Sequence, residues 1–332
     1  MDGICTLAND KVYDQLVALL NSIEANQGAD IPVCVYPYDD NTERIAAEIN
    51  RRPQVQLYGD RESIERWDRF ARQVWDAHPS ARQTWAQRGY EPYHRVGTHR
   101  RYCAFDGPFD RFIYMDADAL LLSPAVPIFR QLERSDWVVY DFQFKDPGHV
   151  YDLSSNKLGE VFSPDRIESE IFCSGFYATS KRIFEEQKRE QLLHQLEAGE
   201  AEILYLMAPD QTVLNYMVMR SDLKVCNLAR SLPADEKTGN SVTSAHFQEK
   251  DHLVYDGGKR LTYLHYIGVS SKIFARVCAG ENLDFPYRET FLYYRYLHEP
   301  EKRPRFDSQP EPYKRPPNLF RRALNQFKST FN

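Results

Sequence analysis

No stretch of this chain approaches the roughly 20 consecutive apolar residues that a membrane-spanning helix needs, and the mean hydropathy is −0.60. The start, Met1-Asp2-Gly3-Ile4-Cys5, has neither a basic segment nor an apolar core of the secretory type. Cysteine is sparse and scattered. Cys5, Cys34, Cys103, Cys173, Cys226 and Cys278 form no Cys-x-x-Cys pair, which excludes a zinc knuckle or a dithiol redox motif. Most of them sit among apolar neighbours, where a free thiol behaves as a small hydrophobe. A reduced, cytoplasmic protein is the expectation. Positive charge is also short: 42 Lys+Arg stand against 48 Asp+Glu, for a net charge of −6. A general nucleic-acid binder would show a basic excess, so no nucleic-acid partner is expected. There is no Gly-x-Gly-x-x-Gly turn, hence no dinucleotide fingerprint, and no repeat or low-complexity segment.

What is present is an aromatic-rich globular composition. The 332 residues are 42% hydrophobic and 27% charged, the balance of a folded chain. Tyr and Phe number 21 and 19, so flat rings for stacking on sugars or bases are plentiful. The opening reads strand–helix–strand. Ile4–Ala8 is an apolar run, Asn9-Asp10 offers a turn and an N-cap, and Leu16, Leu19, Leu20 and Ile23 recur at helical spacing. Ile31–Tyr36 is a second buried strand. A βαβ opening implies a parallel sheet with a ligand crevice at the strand C-terminal ends.

Further helices are expected over 43–51, Glu62–Gln87, Lys181–Leu196 and Asp210–Met219. Further strands are expected at Val55–Tyr58, Arg111–Met115, Asp136–Phe142 and Cys173–Thr179. The stripe Ile64, Trp67, Phe70, Val74, Trp75 reads as core packing in preference to a cofactor site.

The end of the chain differs in kind. Residues 299–317 are rich in proline and charge and read as a linker. Over 318–332, Leu319, Phe320, Ala323, Leu324, Phe327 and Phe331 follow helical spacing, interleaved with Arg321, Arg322 and Lys328. Residues 312–332 hold five positive charges and no negative one, so residues 1–311 carry −11. A basic amphipathic helix suits an anionic membrane surface or a partner groove; the alternative is a helix docked on its own domain. The division expected is 1–298, 299–317 and 318–332.

Chemistry concentrates at Asp116-Ala117-Asp118, which follows the apolar strand Arg111–Met115. Carboxylates at i and i+2 on an extended segment point the same way and repel unless something positive compensates. A hard divalent cation with oxygen ligands does so and keeps positions open for a diphosphate. The structural alternative is a helix cap or bridges to arginines. Downstream, Cys173-Ser174-Gly175 is a small-residue turn where backbone can approach a ligand closely. Asp210-Gln211 places a carboxylate and an amide at a helix start, where plain N-capping is the competing reading. Leu264-His265-Tyr266-Ile267-Gly268 ends a strand in a His and then a Gly; a hydrogen-bonded core histidine is the alternative there.

Taken in order, these segments resemble the family-eight glycosyltransferases, the glycogenin-like and bacterial lipopolysaccharide hexosyltransferases, over roughly residues 3–275. The resemblance implies a single α/β domain of the GT-A (Rossmann-like) fold, with a mixed, mainly parallel central sheet flanked by helices, plus a C-terminal extension. It implies a nucleotide-sugar donor, probed at Ala8 and Asn9, at Arg101 or its neighbour Arg100, at Asp116, Ala117 and Asp118, at Ser174 and Gly175, and at Gly268 and Lys272. It implies Mn2+ (or Mg2+) held by Asp116, Asp118 and His265, with Asp210 and Gln211 on the reacting face of the sugar. The implied reaction moves a hexosyl group from a UDP-sugar to an acceptor hydroxyl with retention. The acceptor, a glycan, lipid or small molecule, is expected near residues 60–95 and 140–170.

Three departures mark a divergent branch. Cys173 stands where the family has Asn, Lys272 comes one residue later than the family's lysine, and Ile273-Phe274 replaces Pro-Trp. Two other readings stand beside this one. Asp116 is also placed as the nucleophile of a haloacid-dehalogenase-like phosphatase or phosphotransferase would be, although Ala119-Leu120 follows where those enzymes usually have Thr or Val. The other is a nucleotide-sugar-binding scaffold without turnover.

Overall fold

The apolar runs become strands that are buried on both faces. In the computed structural model, which describes residues 1–313, β1 (Asp2–Ala8), β2 (Val33–Pro37), β3 (Val55–Leu57) and β4 (Arg111–Met115) precede the short β5 (Ala119–Leu121) and β6 (Trp137–Val139). Then come β7 (Phe176–Ser180) and β8 (Val225–Asn227). Seven of these form one sheet in the order β3-β2-β1-β4-β7-β6-β8. All run parallel except β7, which is antiparallel to both β4 and β6. The expected mixed, mainly parallel sheet is therefore present.

Alternate residues serve opposite faces, as the two-residue strand period dictates. Cys5 and Leu7 of β1 and Phe112 and Tyr114 of β4 join one core with Trp67, Trp75 and Trp85. Ile4, Ala8, Ile113 and Met115 join the other with Leu16, Leu19, Leu20 and Ile23, all on the helix Tyr13–Gln27. Trp67, Phe70, Val74 and Trp75 are buried in the first core, so that stripe is packing.

Three expected elements need correction. The single helix over Glu62–Gln87 is two, Arg61–Ala77 and Ala81–Gln87. Pro79 disfavours a helical residue before it, and His78 is extended at φ −76°, ψ 126°. The His78 ring Nδ1 then accepts from the N–H groups of Ser80 and Ala81 at 3.2 and 3.1 Å. The strand over Asp136–Phe142 is confined to Trp137–Val139. The helix over Lys181–Leu196 begins only at Glu186, after a turn in which Arg182 has φ 62°.

The last third adds a meander of β9 (Gln248–Lys250), β10 (Leu253–Asp256) and β11 (Lys259–Arg260), and then β12 (Tyr263–His265). The β12 strand pairs antiparallel with β5 in the register Tyr263↔Leu121, Leu264↔Leu120, His265↔Ala119. Beyond it, β13 (Leu283–Asp284) pairs with β14 (Glu311–Pro312). The helix Arg288–Arg295 lies on Tyr13–Gln27, with Arg295 Nε donating to Asp14 at 2.7 Å. The segment read as a linker is thus described as far as Tyr313. The helix read over 318–332 lies outside the described residues. All six cysteines are free. No helix among the described residues is long and apolar enough to cross a membrane.

Candidate active site

The C-terminal ends of β1 and β4 open on a cleft of about 320 Å³, lined by Ala8, Asn9, Lys11, Tyr38, Arg95, Arg101, Asp116, Ala117 and Asp118, and by Val269 and Ser271 from the last third of the chain. Asn9 is fixed by two side-chain hydrogen bonds. Its side-chain oxygen caps the turn Asp10–Val12 by accepting from the Lys11 N–H at 3.1 Å, and its amide donates to Asp39 at 2.9 Å.

The register of β5 against β12 carries His265 beside the Asp-x-Asp turn. Backbone bonds fix it there: Tyr266 N–H donates to the Asp118 carbonyl at 2.9 Å, and His265 N–H to the Asn240 carbonyl at 2.7 Å. The His265 Nε2 stands 3.3 Å from Asp118 Oδ1. One oxygen each of Asp116 and Asp118 and one ring nitrogen of His265 lie within 4.8 Å of one another. Gly175 lies against this group. A Cβ added there would sit 2.7 Å from His265 Cε1 and 3.0 Å from Asp116 Oδ2, so only glycine leaves the three donors room. Two carboxylates and an imidazole are a set of hard and borderline donors that fits a divalent cation.

Arg101, only 4% exposed, organises the other side. Its Nη2 reaches Asp116 Oδ1 at 3.1 Å and Asp210 Oδ2 at 2.9 Å, and its Nη1 donates to the Ser174 carbonyl at 2.8 Å. The guanidinium lies 4.8 Å from the centre of the Tyr114 ring, whose hydroxyl donates to Asp116 Oδ1 at 3.0 Å. Arg100, the other arginine considered, points away. It makes a two-pronged pair with Asp68, with contacts from 2.9 to 3.2 Å, and does not line the cleft.

Asp210 sits in the first turn of the helix Pro209–Arg220, yet its carboxylate makes no cap bond. It pairs with Arg101 instead, and Ser174 Oγ donates to it at 3.4 Å. The Gln211 side chain braces two turns. Its oxygen accepts from Ser174 N–H at 3.1 Å, and its amide donates to the His149 carbonyl at 2.8 Å. Gly268 has φ 79°, a left-handed turn that glycine adopts freely, and is exposed. Lys272 is exposed as well and does not line the cleft.

The electrostatics follow from burial and pairing. Burial raises the Asp116 carboxyl, and Arg101 offsets this only in part. For Asp118, burial is outweighed by His265, so its carboxyl falls, and burial of His265 is outweighed by Asp118, so its imidazolium is favoured. Burial of Asp210 is outweighed by Arg101 and then Arg95. Three carboxylates thus meet the Arg101 guanidinium and the His265 imidazolium, so negative charge remains in excess among these side chains.

The comparisons with known proteins concern this whole frame. No protein-family model matches the chain, and no curated protein matches its sequence. Among solved structures, the WbbM bifunctional glycosyltransferase superposes with a TM-score of 0.50 at 12% identity, over 91% of this chain and 51% of that one. The fold is that of the GT-A glycosyltransferases. This chain spans about half the length of WbbM. The galactosyltransferase LgtC, with donor and acceptor sugar analogues, gives 0.49 at 13% identity, over 83% of this chain and 94% of that one. Mouse xyloside xylosyltransferase 1 gives 0.46 at 11%, over 69% and 85%. The family-eight resemblance read from ordered motifs and the fold agree. The phosphatase reading is not favoured.

Several residues at the site carry no sequence signal. Tyr114 precedes the Asp-x-Asp by two positions and reads simply as a strand residue. Asp141 follows the apolar run of β6 and lines a second cleft of about 440 Å³, with His149, Cys173, Asn240, Thr243 and His265. Its oxygens accept from the N–H groups of Gln143 at 2.6 Å and Cys173 at 3.2 Å, and burial nonetheless pushes its carboxyl up to about 7. The two clefts adjoin at the Asp118–His265 pair. The second is bordered by residues within 141–149 and 239–246.

Proposed function

We propose that this chain is a metal-dependent glycosyltransferase that moves a hexosyl group from a nucleoside-diphosphate sugar, a UDP-sugar by the family resemblance, to an acceptor hydroxyl with retention. The observation that carries the reading is the meeting of Asp116, Asp118 and His265 around Gly175, with the Arg101–Asp210 pair beside them, at the strand C-terminal ends of a GT-A sheet.

Asp116, Asp118 and His265 are the residues that would hold Mn2+, or Mg2+. Such an ion supplies charge neutralisation at the leaving diphosphate and a template for it. The chain's own groups do the rest. Ala8, Asn9 and Ala117 border the donor cleft. Arg101 fixes the Asp210 carboxylate in place, and Asp210 supplies negative charge where positive charge develops at the anomeric carbon. Ser174 and Gly175 bring backbone close to the sugar, and Gln211 holds that turn rigid by bonding at both ends of its amide. The second cleft, with Asp141 on its wall, lies on the side from which an acceptor hydroxyl would approach.

The basic sequence of residues 314–332 would hold the enzyme at an anionic membrane surface. Co-sedimentation with vesicles that contain anionic lipid, but not with neutral ones, is the expected result.

The deciding experiment follows release of labelled sugar from a panel of nucleotide sugars with and without manganese. Manganese-dependent release by the native chain, and none by Asp116→Ala or Asp118→Ala, is expected. Full activity in either variant sinks the site assignment. A trapped aspartyl-phosphate on Asp116 would replace this reading with phosphoryl transfer, and binding of a nucleotide sugar without release would replace it with a scaffold.

A further inference from the structure

The cation nearest the reaction centre is already committed. Four of the five N–H groups of Arg101 are engaged: Nε with the Thr98 carbonyl at 3.2 Å, Nη1 with the Ser174 carbonyl, and Nη2 with both Asp116 and Asp210. It leaves little charge for an incoming anion. Lys272, the lysine that the family resemblance assigns to the diphosphate, stands outside the cleft, where the helix Ser271–Cys278 presents Ser271. A nucleoside diphosphate would nonetheless bring at least two negative charges into a space that already holds Asp116, Asp118 and Asp210.

Two other cations line that cleft and make no side-chain hydrogen bond or ion pair among the described residues: Lys11 and Arg95. They come from separate segments of the chain, on turns that are themselves fixed. Lys11 sits in the turn Asp10–Val12, with its N–H capped by Asn9. Arg95 has φ 52°, a conformation uncommon for a residue with a side chain. It is held there because its carbonyl accepts from both the Thr98 N–H at 2.9 Å and the Thr98 hydroxyl at 2.7 Å. Its charge also reaches Asp210, since Arg95 follows Arg101 among the groups that keep that carboxyl low against burial.

We propose that Arg95 and Lys11 are the donor-diphosphate cations of this enzyme and take the part that Lys272 has in the family pattern. This rests on the nucleotide-sugar reading above. One extra residue lies between Gly268 and the lysine, Lys272 is exposed outside the cleft, and the cleft is instead lined by two cations from other segments.

Calorimetric titration with manganese–UDP and manganese–GDP tests it, with uridine and guanosine as uncharged controls. Arg95→Ala and Lys11→Ala are each expected to weaken diphosphate binding by about tenfold or more, as loss of a charge-assisted contact does. Nucleoside binding should stay the same, Lys272→Ala should change affinity less than about twofold, and Arg95→Lys should recover most of the loss. Both positions are exposed, so unchanged thermal melting is expected and confirms folded variants. The proposal is overturned if Lys272→Ala causes the large loss while Arg95→Ala and Lys11→Ala do not. It is overturned as well if those two weaken nucleoside and diphosphate equally, which would mean they only shape the pocket. If the native chain binds neither nucleotide with manganese, the nucleotide-sugar reading itself fails, an outcome distinct from any pattern among variants.

Discussion

A single methyl group at residue 175 should disable the proposed metal site while leaving the fold in place. Gly175 has no left-handed φ, so its backbone tolerates alanine and the whole cost falls on what the Cβ meets. That atom would stand 2.7 Å from His265 Cε1 and 3.0 Å from Asp116 Oδ2. Restoring the ring to an ordinary 3.4 Å contact requires a retreat of about 0.7 Å. Neither neighbour moves freely. The His265 backbone is bonded to Asn240 and paired with Ala119, and the other oxygen of Asp116 is held by Arg101 and Tyr114. Metal–ligand distances are tolerated to about 0.2 Å, so a displacement of this size separates the donors beyond use.

Gly175→Ala is therefore expected to lower manganese affinity by about 10- to 100-fold, the range seen when the support of a ligand set is disturbed. Overpacking should cost about 1–3 kcal/mol of stability, a modest drop in Tm. Calorimetric titration of Mn2+ alone, paired with thermal melting, reads both. Gly148→Ala is the control, since its Cβ would meet Asp146 Oδ1 only at 3.4 Å and should change neither. Native manganese affinity in Gly175→Ala would refute the assignment of Asp116, Asp118 and His265 as a ligand set.

Three other outcomes are expected. His99 is fully buried, with Nε2 accepting from Trp75 Nε1 at 3.0 Å and Nδ1 bonded to the Val96 carbonyl at 3.0 Å, and burial pushes its imidazolium down to about 4. Because this folded value lies below the unfolded one near 6.5, its contribution is full above 6.5 and is lost as pH falls towards 4. That is about 3 kcal/mol, and it should appear as a change in the stability difference between the native chain and His99→Gln when denaturant titrations at pH 7.5 and 4 are compared. Trp85, fully buried, stacks edge-on to Trp75 and donates to the Leu206 carbonyl at 3.0 Å; Trp85→Ala should cost about 3–5 kcal/mol by urea denaturation. Asp210→Asn keeps the shape but removes the charge, and should reduce transfer on the order of 10²–10³-fold with manganese affinity nearly unchanged, read by kinetics and calorimetry.

The parallel half of the sheet was legible because strands buried on both faces read as unbroken apolar runs: Ile4–Ala8, Ile31–Tyr36 and Arg111–Met115 all lie where strands form. The carboxylates and His265 could be ordered by motif for the same reason, since each ends or follows such a run. Less local features were not. Pro79 splits a helix whose apolar spacing continues across the break. The choice between Arg100 and Arg101 depends on a contact with Asp68 from another element. Arg95, Lys11, Asp141 and the 239–246 wall belong to the site only through packing between distant segments, and no spacing rule marks such residues.

The pairing of β5 with β12 sets when this site can exist. It joins Ala119 to His265, so two carboxylates made early in synthesis wait for their third donor until 146 more residues have followed. An emerging chain that has folded only its first parallel strands would hold the Asp-x-Asp turn but no closed ligand set. Because binding to a site that forms only on folding adds directly to folding free energy, a divalent ion would favour the finished molecule over every partial one. The cation would then act as a check on completeness, drawing the late strand β12 into place as it binds.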